Sequence, residues 1–134
     1  MLSKIDIVEL MQEVGHDRSD PDNAALYARH MSPNLRVVEP ESIPYAGVFQ
    51  GPERLAELDR IHHATWSSSS HKRLRYLSGD DFVAVYLEAT FTSRATGRTL
   101  VTNISEWWRF EGEQIVEIEI FYKDTAAVLA VIAS

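Results

Sequence analysis

Glu106 lies in the stretch "NISEWWRF", two positions after Ile104 and two before Trp108. Residues two apart on a strand share a face, so a carboxylate joins Ile104 and Trp108 if that face points inward. An acid among such side chains either has a fixed partner or titrates well above the usual carboxylate range. His62 is a second candidate. With Leu55, Leu58 and Trp66 it forms one stripe of a helix, while the next residue, His63, is rotated about 100° away toward solvent. An imidazole at that place can act as acid or base near neutral pH. A third candidate, the carboxyl of Glu39, ends the short strand "LRVVEP".

Three helices precede most of the sheet. In "SKIDIVELMQEVG", Ser3 and Asp6 form a capping box, Ile7, Val8, Met11 and Val14 fall on one stripe, and Gly15 ends the helix. Asp20 caps a second helix that Pro21 opens and that runs to about Met31, where "SPN" stops it. Gly51-Pro52 starts the third, "PERLAELDRIHHATW", which ends in a serine loop, "SSSS". Between the last two lie a strand, Leu35 to Pro40, and a loop, "ESIPYAGVFQG".

From Lys72 the period changes to two. "RLRYLS" and "DFVAVYLEATFTS" read as strands, the second turning Val83, Val85, Leu87, Ala89, Phe91 and Ser93 inward. Gly97 serves a hairpin in "RATGR". In "TLVTNISEWWRF" the inward set is Leu100, Thr102, Ile104, Glu106, Trp108 and Phe110. After the turn "EGEQ", Ile118, Ile120 and Tyr122 share a face opposite Glu117, Glu119 and Phe121. Asp124 caps a last helix, "TAAVLAVIA". This order predicts one α+β domain over 1–134, with helices covering one face of a strongly curved antiparallel sheet and enclosing a pocket. Its expected lining is Tyr45, Trp66, Leu87, Ala89, Phe91, Ile104, Trp108, Ile118, Ile120 and Tyr122.

Composition narrows the function classes. The chain is 134 residues long, 45% hydrophobic and carries a formal net charge of −7. Nucleic acid and anionic membranes reward clustered Lys and Arg, and the densest basic group here, Lys72, Arg73 and Arg75, reads as a solvated strand face. There is no cysteine, hence no disulfide and no thiol nucleophile. The N-terminus has no signal-peptide pattern and no run spans a membrane, so a soluble cytoplasmic protein is expected. His16, His30, His62, His63 and His71 lack metal-ligand spacing, and neither a metal nor another cofactor is expected.

"ATGRTLVTNISEWWRFEGEQIVEIEIFYKDTAAVL" resembles the C-terminal half of SnoaL-like proteins of the nuclear transport factor 2-like (NTF2-like) superfamily. "VVEPESIPYAGVFQGPERL" is similar to that family's first strand, its Pro-Tyr-x-Gly loop and the start of its third helix. The resemblance implies a cone-shaped fold whose members include isomerases, cyclases, epoxide hydrolases and binders without chemistry. Ketosteroid isomerase, a standard case of pKa tuning, pairs an acidic base with a second acid kept protonated. By similarity Glu39 takes the place of the base and Glu106 that of the protonated acid. The isomerase's helix-one phenol has no counterpart in "SKIDIVELMQEV", which leaves Tyr45 or Tyr122 to supply a hydroxyl. Arg94 and Arg98 lack the flanking aspartates of the epoxide hydrolases. The expected function is therefore proton transfer beside the carbonyl of a small apolar ring compound, with Glu39 or His62 as base and Glu106 as acid. The alternative is a binder using the same pocket. A homodimer through the convex sheet face, with Trp107 and Phe121, is expected in either case.

Overall fold

A computed structural model describes residues 1–15 and 17–133; His16 lies outside the described residues. The elements in chain order are α1 (Lys4–Val14), α2 (Pro21–His30), β1 (Met31–Glu39), β2 (Gly47–Gln50), α3 (Pro52–Thr65), β3 (Trp66–Ser78), β4 (Phe82–Ser93), β5 (Thr99–Glu111), β6 (Gln114–Tyr122) and α4 (Thr125–Ile132). The strands form one open, curved sheet in the order β2-β1-β6-β5-β4-β3.

Local chemistry sets the helix ends. Ser3 and Asp6 exchange side-chain and backbone hydrogen bonds at the start of α1. Asp20 caps α2, and Asp124 accepts from the Ala127 amide to start α4. The α1 stripe of Ile7, Val8, Met11 and Val14 is buried, as the periodicity requires. Gly15 ends α1 with φ −63°, so this cap does not use the left-handed conformation open to glycine. That conformation is used at the hairpin, where Gly97 has φ 73°.

Four expectations need correction. The sheet is mixed, because β1 pairs with β6 in parallel while its other neighbours are antiparallel. β1 starts at Met31, level with Ile115 of β6, and a register shift before Arg36 absorbs the "SPN" segment read as a helix stop. The loop "ESIPYAGVFQG" contains β2, which pairs with β1 from Arg36 to Glu39. The serine run is strand, since Ser68, Ser69 and Ser70 pair with Thr92, Phe91 and Thr90. β3 is an edge strand, so its ladder to β4 carries it and its side chains need no burial there.

The core fills the concave side. Val83, Val85, Leu87, Ala89 and Phe91 of β4 face Ile104, Trp108 and Phe110 of β5, with α1 laid across them. Gln12 pins α1 to the edge strand: its Oε1 accepts from Arg73 Nε at 2.8 Å and from the Tyr76 hydroxyl at 2.9 Å. Lys72 and Arg75 are exposed, as a solvated face requires. Arg98 donates to the Ala130 carbonyl at 2.9 Å and closes the end of α4. Arg94 donates to the carbonyls of His63 and Trp66, so both hairpin arginines hold structure. Among the described residues no helix is long and apolar enough to cross a membrane.

Candidate active site

β6 lies between β1 and β5, and that position brings two carboxyls together. Val38 is level with Glu119 across the parallel pair, so Glu39 comes level with Ile120. On the other side Glu106 is paired with Ile120. Both acids belong to the concave face, and strand spacing sets their Cα atoms roughly 10 Å apart across Ile120. The alternation read for β5 holds around Glu106, with Thr102, Ile104, Trp108 and Phe110 all buried.

Glu39 is 6% exposed, and its Oε1 is buried with no hydrogen-bond partner among the described residues. Burial pushes its pKa up to about 8, and the negative charge of Glu106 pushes the same way. Glu106 retains some surface as a residue, but its carboxyl is the desolvated end, and burial raises its pKa. Two groups oppose that rise. Trp108 Nε1 donates to Glu106 Oε1 at 3.1 Å, and Arg73 adds positive charge. Two acids that repel titrate as a pair, so near neutral pH the pair holds more protons than two exposed carboxyls.

Beside them lies a chain of three rings. Trp66 Nε1 donates to the Tyr45 hydroxyl at 2.9 Å, and the Tyr45 and Tyr122 hydroxyls are 2.8 Å apart. An indole N–H can only donate, and the phenol–phenol contact uses one O–H. One phenolic O–H of the trio is therefore left over. Burial raises the pKa of Tyr45 to about 12 and that of Tyr122 further still, so both keep their protons. Glu39 adds to both rises, and Glu106 adds to that of Tyr122.

His62 packs on this trio, its ring centroid 5.1 Å from that of Tyr45 and 6.2 Å from that of Phe91. Burial lowers its pKa to about 4, with His71 and His63 contributing in that order, so the imidazole is neutral and weakly basic. His63 is exposed and donates to the Asp59 carbonyl at 2.8 Å.

Of the residues expected to line a pocket, Leu87, Ala89, Phe91, Ile104, Trp108 and Ile118 are buried in the core. Two larger concavities lie away from the acids. One, about 530 Å³, is on the convex face at Phe82, Trp107 and Phe121. The other, about 540 Å³, lies between α2, β1 and α3, at Tyr27, Leu35 and Leu55. A smaller one, about 310 Å³, opens where β1 and β6 end, and it reaches Glu39, Ile120 and Tyr122. This last is the relevant one, because it alone of the three touches the perturbed acid Glu39 and the phenol of Tyr122. Among the described residues no group of three His, Asp or Glu could hold a metal ion.

Sequence reasoning selected every member of the cluster but not its wiring. The Tyr45–Tyr122 and Trp66–Tyr45 contacts join residues 77 and 21 positions apart. No local pattern records such contacts.

No protein-family model matches the chain, and no curated protein does. Solved structures do. An NTF2-like protein from Burkholderia thailandensis has 21% identity and a TM-score of 0.81, with all of both chains covered. TerC, crystallised with polyporic acid, has 18% identity and a TM-score of 0.80, covering 98% of this chain and 100% of its own. A SnoaL-like polyketide cyclase from Jannaschia has 13% identity and a TM-score of 0.75, covering 98% and 92%.

Proposed function

The chain has the NTF2-like fold, and from that premise we propose a cofactor-independent acid–base enzyme that moves a proton beside the carbonyl of a small, largely apolar ring compound. The observation that carries this reading is the pair of carboxyls flanking Ile120, one of them buried with an unpartnered oxygen beside two phenols. Glu39 is the base. A carboxyl whose pKa stands at about 8 is a far better proton acceptor, once ionised, than an ordinary one. His62, lowered to about 4, is the weaker base and serves as a wall. Glu106, whose pKa burial raises, is the acid: with the spare phenolic O–H it donates to the enolate oxygen as charge develops there. The net outcome is isomerisation or an aldol-type ring closure.

The fold relatives support the ligand class: one is named a polyketide cyclase, and another was crystallised with polyporic acid. The test needs no knowledge of the product. A panel of cyclic ketones and enones is incubated in D₂O with protein, and exchange beside the carbonyl is followed by NMR. Exchange above the buffer rate for at least one compound, lost in Glu39→Gln, is expected. A ligand that binds without any exchange would leave the binder reading in its place.

The same reading includes a homodimer through the convex face, where Trp107 is 41% and Phe121 49% exposed. The Phe82 ring lies tilted against that of Trp107 there, with ring centroids 5.0 Å apart, and extends the apolar patch.

A further inference from the structure

The concavity where β1 and β6 end is bordered by Glu39, Glu41, Glu119, Tyr122 and Thr125, with Val38 among its apolar walls. Three of its lining residues are carboxylates, and none is Lys or Arg. Glu41 is exposed; Glu119 is half-buried, belongs to the outer side of β6 beside Trp107 and reaches this concavity at the strand ends, and neither makes an ion pair among the described residues. At its floor Glu39 carries the one buried side-chain oxygen found without a partner among the described residues. A buried acceptor left unpaired costs stability, and a ligand donor that reaches it removes that cost. Tyr122 beside it belongs to the phenol pair with one uncommitted O–H.

We infer that this concavity is the mouth of the site and that its rim acids, Glu41 and Glu119, select a neutral, hydroxyl-bearing ring compound over an anionic one. The inference rests on the proposed ring-ligand site and adds what that reading leaves open: where the ligand enters and which charge it carries. A ligand hydroxyl donates a hydrogen bond to Glu39 Oε1. A carbonyl or ring oxygen meets the spare phenolic O–H. An anion meets two uncompensated carboxylates at the rim before it reaches either group. Two such charges several ångströms away, in a largely aqueous mouth at low salt, amount to about a tenfold penalty.

Three naphthalenes of matched shape test this: naphthalene-2-methanol, naphthalene-2-carboxylate and 2-(aminomethyl)naphthalene, titrated by calorimetry at low ionic strength. The alcohol is expected to bind wild type about tenfold more tightly than the carboxylate. The double variant Glu41→Gln, Glu119→Gln should close most of that gap by tightening the carboxylate and leave the alcohol unchanged. Thr125→Trp, which fills the mouth, should abolish binding of the alcohol, and circular dichroism checks that each variant is folded. The inference is overturned if the carboxylate binds as tightly as the alcohol, if the double variant leaves the gap intact, or if wild type binds neither. Unchanged alcohol binding in folded Thr125→Trp overturns the location. Tighter binding of the amine than of the alcohol overturns the preference for a neutral ligand. Charge selection that holds while deuterium exchange is absent removes the catalytic reading alone; exchange without charge selection removes this one alone.

Discussion

Glu39 and Glu106 stand on the two strands that flank β6, level with the same residue, Ile120, and on the same face of the sheet. Neither faces a cation at ion-pair distance among the described residues. Glu106 has an indole N–H from its own strand, and Glu39 has an oxygen with no partner among the described residues. The fold thus keeps two acids in a place where both resist ionisation, an arrangement that costs stability and that acid–base chemistry uses.

The cost of Glu39 has a definite pH window. Its pKa rises from an ordinary 4.5 to about 8 on folding. Below 4.5 it is protonated in both states and contributes nothing. Between 4.5 and 8 the unfolded chain loses the proton that the folded chain retains, so stability falls as pH rises, and above 8 the loss is complete. Glu39→Gln should flatten that fall and be more stable than wild type above neutrality, by on the order of a few kcal/mol. Urea denaturation across this range reads it, and a variant less stable than wild type at high pH would contradict it.

Glu106→Gln keeps an oxygen for the Trp108 indole to donate to but has no acidic proton. It should be as stable as wild type or more so, with the largest gain at the pH where wild-type Glu106 would ionise. A loss of about 2 kcal/mol or more would instead mark a structural partner in a buried pair. Any proton exchange should drop by about 10² or more while ligand affinity is kept. An equal fall in affinity would point to a ligand-orienting group.

The two phenols differ in what they hold. Tyr45→Phe leaves the Trp66 N–H without its acceptor and should cost about 1–3 kcal/mol. Tyr122→Phe leaves the Trp66–Tyr45 bond in place and should cost less, about 1 kcal/mol. Thermal or urea unfolding of the two variants compares them directly. Equal losses would mean that the indole does not depend on Tyr45.

His62 has its pKa lowered to about 4. Its ring signals in NMR should stay constant through the range where an exposed imidazole titrates, around pH 6.5. Acid should therefore weaken the fold as pH falls from about 6.5 toward 4, because the unfolded chain takes up the proton first. A ring that titrates near 6.5 would restore His62 as a candidate base.

The convex face offers a test of assembly. If two copies meet through Trp107 and Phe121, Trp107→Glu places a charge in that contact and should yield monomer in sedimentation equilibrium without loss of fold. Wild type that sediments as monomer at all concentrations would remove the dimer from the reading.

Much of this protein was readable before any coordinates. Alternation placed Glu106 on the inner face of β5 and Trp107 on the outer one, because a strand's side chains must alternate whatever lies around them. The caps at Ser3, Asp20 and Asp124 were equally readable, since a cap is a contact between residues two or three apart. Segments whose structure depends on a distant partner were not. Ser67 to Ser70 have no strand signal of their own and form a strand because β4 offers a ladder. Gly47–Gln50 pairs only because β1 is beside it, and β1 itself lies parallel to a strand about 80 residues later in the chain. The site divides the same way. Parity put Glu106 and Tyr122 on inner faces and helical spacing put His62 on an apolar stripe, whereas Glu39 and Tyr45 were expected at the site from the family resemblance. Only the tertiary structure decided that Glu39 and Glu106 would share Ile120, that Trp66 would spend its N–H on Tyr45, and that Glu39 would be left with a free oxygen. Those are facts about pairing in space, and alternation along a chain carries no information about which strand will lie next to which.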